Sequence, residues 1–160
     1  MKIGLFGCGA YGMALSSIMS NNNCDITMWT KFEEEKKQLE ETRKNEKLIP
    51  NFSISEKITL TTSVEECIKD KDLLVIAIPA AFIDSLAIEM KPYIKDNHIL
   101  IATKGIEQET GLFINQILEK YLDTKNIAVI SGPSFAVDLV TKMPAGLTLA
   151  TKNTETECLV

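Results

Sequence analysis

The 160-residue chain predicts a doubly wound α/β fold, a parallel sheet with helices on both faces. Three observations predict it. Short apolar segments alternate with segments of helical periodicity along nearly the whole chain. One apolar segment, Leu73-Leu74-Val75-Ile76-Ala77-Ile78, is unbroken, as expected of a parallel strand covered on both sides. The first apolar segment runs into Gly7, Gly9 and Gly12, which lead directly into a helical pattern.

Taken in order, Lys2–Phe6 is an apolar strand that ends in glycine. Residues 10–21 carry Met13, Ala14, Ile18 and Met19 at helical spacing and stop at three asparagines. Residues 24–29 alternate as a second strand. Residues 32–47 are charged, with Glu33, Glu34 and Glu35 first and Arg43, Lys44 and Lys47 last. That order suits the helix dipole and predicts a solvent-facing helix. Residues 58–61 form a third strand, and Ser63-x-x-Glu66 has the form of a capping box. Pro79 closes the apolar run at 73–78, and a helix follows over 80–90. Strands at 99–102, 127–130 and 147–150 enclose helices at 111–121 and 135–140. No internal repeat or long linker interrupts the series, so residues 1–160 form one domain.

The composition is 45% hydrophobic and 24% charged, that of an ordinary globular chain. No apolar run reaches the ~18–20 residues a membrane span needs, and no signal-peptide core precedes the glycines. The net charge of −5 argues against nucleic acid, which demands a basic face. Cys8, Cys24, Cys67 and Cys158 form no C-x-x-C pair and have a single histidine among them. Reduced thiols in a cytoplasmic compartment are expected, with no metal site.

Strand, glycine loop and helix together make the Gly7-x-Gly9-x-x-Gly12 spacing chemically meaningful, the signature of a Rossmann-type dinucleotide-binding domain. Gly7 permits the turn, Gly9 admits a pyrophosphate, and Gly12 lets the helix pack close to the sheet. The helix N-terminus offers N–H donors and partial positive charge. The competing reading is a glycine turn without a ligand. An NAD-selective site usually has an acid at the end of its second strand. Here that end reads Trp29-Thr30-Lys31-Phe32, with no acid before Glu33. Thr30 could bond a ribose hydroxyl and Lys31 a 2′-phosphate, so NADP should be tolerated or preferred over NAD. The alternative for Lys31 is a solvated loop lysine.

Two further segments stand at the carboxyl ends of strands, where open α/β sheets bind ligands. They are Ala102-Thr103-Lys104-Gly105 and Ser131-Gly132-Pro133-Ser134-Phe135-Ala136. Lys104 offers a point charge, Gly132 allows close backbone approach, and Ser134 offers a hydroxyl and an N–H, together a small anion-binding ledge. Taken singly, Lys104 reads equally as a surface lysine and Gly132-Pro133 as a turn.

The set GCGAYG (7–12), MW (28–29), IP (49–50), ATKG (102–105), ETG (109–111) and ISGPSFA (130–136) closely resembles the bacterial NAD(P)-dependent sn-glycerol-3-phosphate dehydrogenases. The match covers essentially the whole chain. The resemblance implies reversible reduction of dihydroxyacetone phosphate to glycerol 3-phosphate, a phospholipid precursor. It implies that Ala10 and Tyr11 contact the cofactor within the glycine loop and that Lys31 lies near the adenosine ribose. Lys104 would touch cofactor and substrate, Gly132 and Ser134 the substrate, and Ala136 the cofactor. Cys8 and Met13 depart from the pattern, which usually has small residues at both places.

Reducing a ketone also requires a proton donor. His98 falls at the amino end of its strand, far from the crevice, so no catalytic residue is assigned. In the family the proton-transferring lysine comes from a second, helical domain, expected to be absent here. Thr154-x-x-Glu157 reads as a capping box for a helix that has barely begun at Val160. The chain is therefore expected to bind cofactor with little turnover, and to expose apolar surface that favours homo-oligomers. The alternatives are another hydroxy-acid or sugar-acid dehydrogenase and a non-catalytic nucleotide-sensing domain.

Overall fold

A computed structural model describes residues 1–108 and 110–160. Seven strands form one sheet: β1 (Lys2–Phe6), β2 (Asp25–Trp29), β3 (Thr59–Thr61), β4 (Leu73–Ile76), β5 (His98–Ile101), β6 (Ile127–Ser131) and β7 (Thr148–Thr151), in the spatial order β3-β2-β1-β4-β5-β6-β7. The first six run parallel, with β4 at the centre of the seven and β1 beside it, pairing Leu5 with Met28 on one side and with Val75 on the other. The order reverses between β1 and β4, and the crevice at such a reversal is where doubly wound sheets take ligands.

The helices are α1 (Ala10–Asn21), α2 (Glu33–Thr42), α3 (Val64–Ile68), α4 (Ile83–Met90), α5 (Ile114–Tyr121), α6 (Ala136–Val140) and α7 (Thr154–Leu159). Alternation along the strands divides the core in two. Leu5, Met28, Val75 and Leu100 pack with Met13 and Ala14 of α1 and Leu139 of α6 on one face. Phe6, Leu74, Ile76 and Ile101 pack with Ile83 and Leu86 of α4 and Ile117 and Leu118 of α5 on the other. The strand β4 is wholly buried, as its unbroken apolar sequence requires. At Gly4, a Cβ would stand 1.9 Å from the carbonyl oxygen of Cys67, so α3 touches the sheet at a point where no side chain fits.

Several elements differ from expectation. The strand β7 runs antiparallel to β6, pairing Thr148 with Ser131 at the carboxyl end of β6. The five residues of α6 rise only ~7.5 Å, about half the ~16 Å length of a five-residue strand. The chain thus stays at the carboxyl end of the sheet and turns back along it. The charged helix ends at Thr42, because Arg43 takes a left-handed conformation at φ 56° and donates from Nη1 to the carbonyl of Ile58 at 2.8 Å. The segment before α4 begins as a 3₁₀ turn over Ala80–Phe82, and α5 starts at Ile114 rather than Gly111. At α3, Ser63 caps the backbone N–H of Glu66, while the Glu66 carboxylate accepts from Thr61 Oγ1 at 2.5 Å instead of closing the box. The cap of α7 is Asn153, whose side chain accepts from the N–H of Thr156 at 2.9 Å, in place of Thr154. No described helix is long and apolar enough to cross a membrane.

Candidate functional site

The glycine loop joins β1 to α1 above the centre of the sheet. The N–H of Gly7 donates to the Trp29 carbonyl at 2.9 Å, which ties the loop to the end of β2. Gly7 has φ +121°, and a Cβ there would lie 2.5 Å from the carbonyl oxygen of Ala77. A Cβ on Gly12 would lie 2.1 Å from the carbonyl oxygen of Gly7. These two glycines are demanded by the protein's own packing. Gly9 differs: a Cβ there meets nothing within 4 Å. Gly9 is also the N-cap of α1, with no side-chain cap, and the first turn of α1 carries no acidic residue. The first turns of α2 and α3 carry three and two acids respectively. An uncapped helix start without a competing carboxylate, facing open space, suits an anion.

A cavity of about 400 Å³ opens beside this loop, lined among others by Gly9, Thr30, Phe32, Glu35, Ile78 and Phe82. Phe32 and Phe82 are 67% and 59% exposed, an unusual surface placement for two phenyl rings on one hollow. Cys8, also on its wall, is 2% exposed, and its Sγ–H points to the Trp29 carbonyl at 3.7 Å. Burial first, and the negative charge of Glu35 second, push the Cys8 thiol far above the ordinary range, so it is no nucleophile at neutral pH. Met13 lies in the core at 0% exposure. Neither departure from the family pattern therefore projects into solvent at the loop.

On the other side of the glycine loop, four of the expected residues come together. The Tyr11 hydroxyl lies 3.0 Å from Oγ of Ser134, a contact across 123 residues of sequence. The ammonium of Lys104 donates to the carbonyl of Ser134 at 2.9 Å and reaches that of Gly132 at 3.5 Å. It also stands 5.0 Å from the centroid of the Tyr11 ring, within cation–π range. Thr103 sets the starting point of this reach, because its hydroxyl donates to the Ile78 carbonyl at 2.9 Å and fixes the end of β5 to the end of β4. Ala10 and Ala136, both half-buried, pack against the core face that α1 and α6 share.

Some expected details differ. The N–H of Ser134 donates to the carbonyl of Gly132 at 2.9 Å, and its hydroxyl is 2% exposed and engaged by Tyr11. The ledge thus turns carbonyls toward Lys104. At Gly132 the space a Cβ would fill is taken by the carbonyl oxygen of Gly146, at 2.2 Å. The Lys31 ammonium sits 3.8 Å from Glu89 Oε1 on α4. Thr30 is 3% exposed, and its hydroxyl donates to Glu35 while accepting from the N–H of Phe32 at 3.3 Å. Glu109 of the ETG stretch lies outside the described residues. His98, at the amino end of β5, pairs Nδ1 with Oγ1 of Thr156 at 2.8 Å, remote from the crevice. No metal-binding cluster of His, Cys, Asp and Glu occurs among the described residues.

Phe32, Phe82, Glu35 and Glu89 line the cavity and carried no sequence signal strong enough to mark them. In the sequence Glu35 reads as part of the acidic first turn of a solvated helix. Phe82 gave one clue, an aromatic residue three places beyond the proline that ends a buried strand.

Comparison with known proteins places this geometry. The family described as NAD-dependent glycerol-3-phosphate dehydrogenase N-terminus matches residues 2–157. A glycerol-3-phosphate dehydrogenase [NAD(P)+] of Agathobacter rectalis is 32% identical over 160 residues, covering 99% of this chain and 48% of the relative. One from Neisseria gonorrhoeae is 36% identical over 157 residues, covering 97% and 48%. Among solved structures, glycerol-3-phosphate dehydrogenase from Coxiella burnetii superposes with a TM-score of 0.89 at 21% identity, over 98% of this chain and 48% of that one. The Plasmodium falciparum enzyme gives 0.88 at 19% identity, over 99% and 48%. The chain spans about half the length of the curated relatives it matches. With the glycine loop, the switch-point crevice and this family match in agreement, the chain belongs to the NAD-dependent glycerol-3-phosphate dehydrogenase N-terminal domain family.

Proposed function

We propose that this chain is the NAD(P)-binding half of an oxidoreductase that interconverts sn-glycerol 3-phosphate and dihydroxyacetone phosphate, supplying glycerophospholipid synthesis in the cytoplasm. The observation that carries the reading is the convergence of Tyr11, Lys104 and Ser134 directly beside the uncapped start of α1. The residues fit a dinucleotide. Open space at Gly9 matches a pyrophosphate, and the adjoining cavity of about 400 Å³ with its two exposed phenyl rings matches an adenosine.

A bound nicotinamide supplies the hydride chemistry. The chain's own residues hold and orient. The N–H groups that open α1 bind the phosphates, with Ala10 and Tyr11 against them. Lys104, held by two carbonyls, presents a fixed positive charge to the substrate at the nicotinamide end. Gly132 and Ser134 shape that end through backbone and hydroxyl, and Ala136 closes it from α6. Lys104 acts here as a binding group: two of its three N–H donors go to the carbonyls of Ser134 and Gly132, and the third is left for a ligand anion. In the family this chain resembles, the proton-transferring lysine belongs to a second, helical domain, so little or no turnover is proposed for these 160 residues alone. Phe113, Phe135 and Met143 are 63%, 74% and 60% exposed near the same end of the sheet and supply the apolar surface for a homo-oligomeric or interdomain contact.

Calorimetric titration with NADH and NADPH tests the reading, repeated with Lys104→Ala and with dihydroxyacetone phosphate as second ligand. Micromolar binding of a dinucleotide, with the second ligand lost in Lys104→Ala, supports it. Failure of both dinucleotides to bind refutes it, and turnover at an ordinary enzyme rate refutes the binding-half assignment.

A further inference from the structure

The charges around the adenosine end of the crevice point the opposite way from the sequence of the β2 end. That end offers a threonine for a ribose hydroxyl and a lysine for a 2′-phosphate. In the fold Thr30 is committed to Glu35, and Lys31 has a carboxylate, Glu89, within 3.8 Å. Thr30 Oγ1 has a single proton, and it goes to the Glu35 carboxylate while the oxygen accepts from Phe32 N–H. Glu35 lies in the first turn of α2 and folds back over the end of β2, so its carboxylate stands where NAD-type sites carry their ribose-binding acid. Thr30 bonds one carboxylate oxygen, Oε2, which leaves Oε1 able to accept from a ribose hydroxyl. Lys31 faces Glu89 across the same cavity at 3.8 Å. Two carboxylates and one ammonium therefore line the adenosine end, and a phosphate dianion would enter a net negative wall.

We propose that Glu35 accepts the adenosine ribose diol and that the site selects NAD(H) over NADP(H), with Glu89 drawing Lys31 away from a 2′-phosphate. The proposal rests on the dinucleotide reading above. Thr30 is the positioning residue, since its hydroxyl holds the Glu35 carboxylate over the strand end. Glu89 contributes less than Glu35, because the Lys31 and Glu89 side chains are 62% and 46% exposed and solvent screens them.

The test measures Kd for NADH and for NADPH on the 160-residue chain and on Glu35→Gln, Glu89→Gln and Thr30→Val. The unmodified chain should bind NADH about tenfold or more tightly than NADPH. Glu35→Gln should weaken NADH about tenfold and close the gap, because a charge-assisted bond is lost and a repulsion removed. Glu89→Gln should strengthen NADPH about two- to fivefold while leaving NADH unchanged. Thr30→Val should weaken NADH without strengthening NADPH as Glu35→Gln does. Thermal melts confirm that each variant is folded. Tighter binding of NADPH by the unmodified chain overturns the proposal, as does an unchanged ratio in folded Glu35→Gln. Binding of neither dinucleotide has a separate signature: it sinks the function reading, and the proposal with it.

Discussion

Replacing Gly9 with valine should remove dinucleotide binding and leave the fold intact. The residue has φ −66° and ψ 173°, a conformation open to any amino acid. A Cβ there meets no atom within 4 Å. Two small effects act on stability. Loss of freedom in the unfolded chain favours the variant by about 0.4–1 kcal/mol, and an apolar N-cap disfavours it by about 0.5–1 kcal/mol relative to glycine. They cancel to within ~1 kcal/mol, a shift in Tm of no more than about 2–4 °C for a chain of this size. Binding responds differently, because the valine methyls occupy the approach to the N–H groups that open α1. Loss of one charge-assisted hydrogen bond costs about 1.5–3 kcal/mol, roughly 10- to 150-fold in Kd, and excluding the pyrophosphate removes more than one. Gly12→Ala is the contrasting variant. Its Cβ would lie 2.1 Å from the Gly7 carbonyl oxygen, so it should unfold at markedly lower temperature. The pair is measured by calorimetric NADH titration and by thermal denaturation. A Gly9→Val protein that melts normally and binds NADH as tightly as its parent refutes the placement of the pyrophosphate.

Gly132→Ala should behave like Gly12→Ala, with a Tm several degrees lower, because its Cβ would stand 2.2 Å from the Gly146 carbonyl oxygen. A normal melt would show that this close approach relaxes freely. Tyr11→Phe leaves the buried Ser134 hydroxyl without its 3.0 Å partner and should cost about 1–2 kcal/mol in urea denaturation. Burial pushes the thiols of Cys8 and Cys67 up, so the folded state holds their protons at pH values where the unfolded chain has released them. Their stabilising contribution is complete below about pH 9 and is lost as pH rises, by up to about 1.4 kcal/mol per pH unit for each thiol. Denaturation curves from pH 8 to 10.5 on the parent and on Cys8→Ala/Cys67→Ala should show a shallower decline in the double variant. Equal slopes would contradict the burial argument.

The fold was legible because its strands announce themselves physically. The run at 73–78 cannot be amphipathic, so it must be covered on both faces. Boundaries were less legible where a backbone choice outweighs composition. Arg43 ends α2 by adopting a left-handed conformation and bonding Ile58, so the basic residues beyond it never join the helix. The length of α6 was legible, at 135–140 against the observed Ala136–Val140, but the antiparallel turn of β7 that follows from so short a helix was not. In the site, Gly7, Gly9 and Gly12 were legible as a loop, but only the packing separates Gly9, with empty space before it, from the two glycines the chain itself requires. The bond between Tyr11 and Ser134 joins residues 123 apart and has no local signal at all.

The partners of Thr30 and Lys31 explain why the cofactor end was harder to read than the substrate end. Near Lys104, each expected residue meets a neighbour that was itself expected, so local motifs come together in one cluster. Near Lys31, the partners are Glu35 and Glu89, which belong to helices whose charge has an ordinary explanation in solvent. The two ends also differ in chemistry in a way that gives the crevice a direction. One end presents an ammonium fixed by carbonyls, and the other presents exposed phenyl rings with a carboxylate held by a threonine. The uncapped start of α1 lies between them and suits a phosphate whatever hangs on either side. Orientation would then come from the ends: the Phe32 side offers two exposed phenyl rings and a carboxylate acceptor, with its one ammonium outnumbered by Glu35 and Glu89, while the Lys104 side offers an ammonium with no carboxylate bonded to it. On the proposed reading, a dinucleotide bound in reverse would place its adenosine ribose beside the Lys104 ammonium and an anionic substrate against Glu35 and Glu89, so the charges of the two walls favour the hydride-bearing ring beside Lys104.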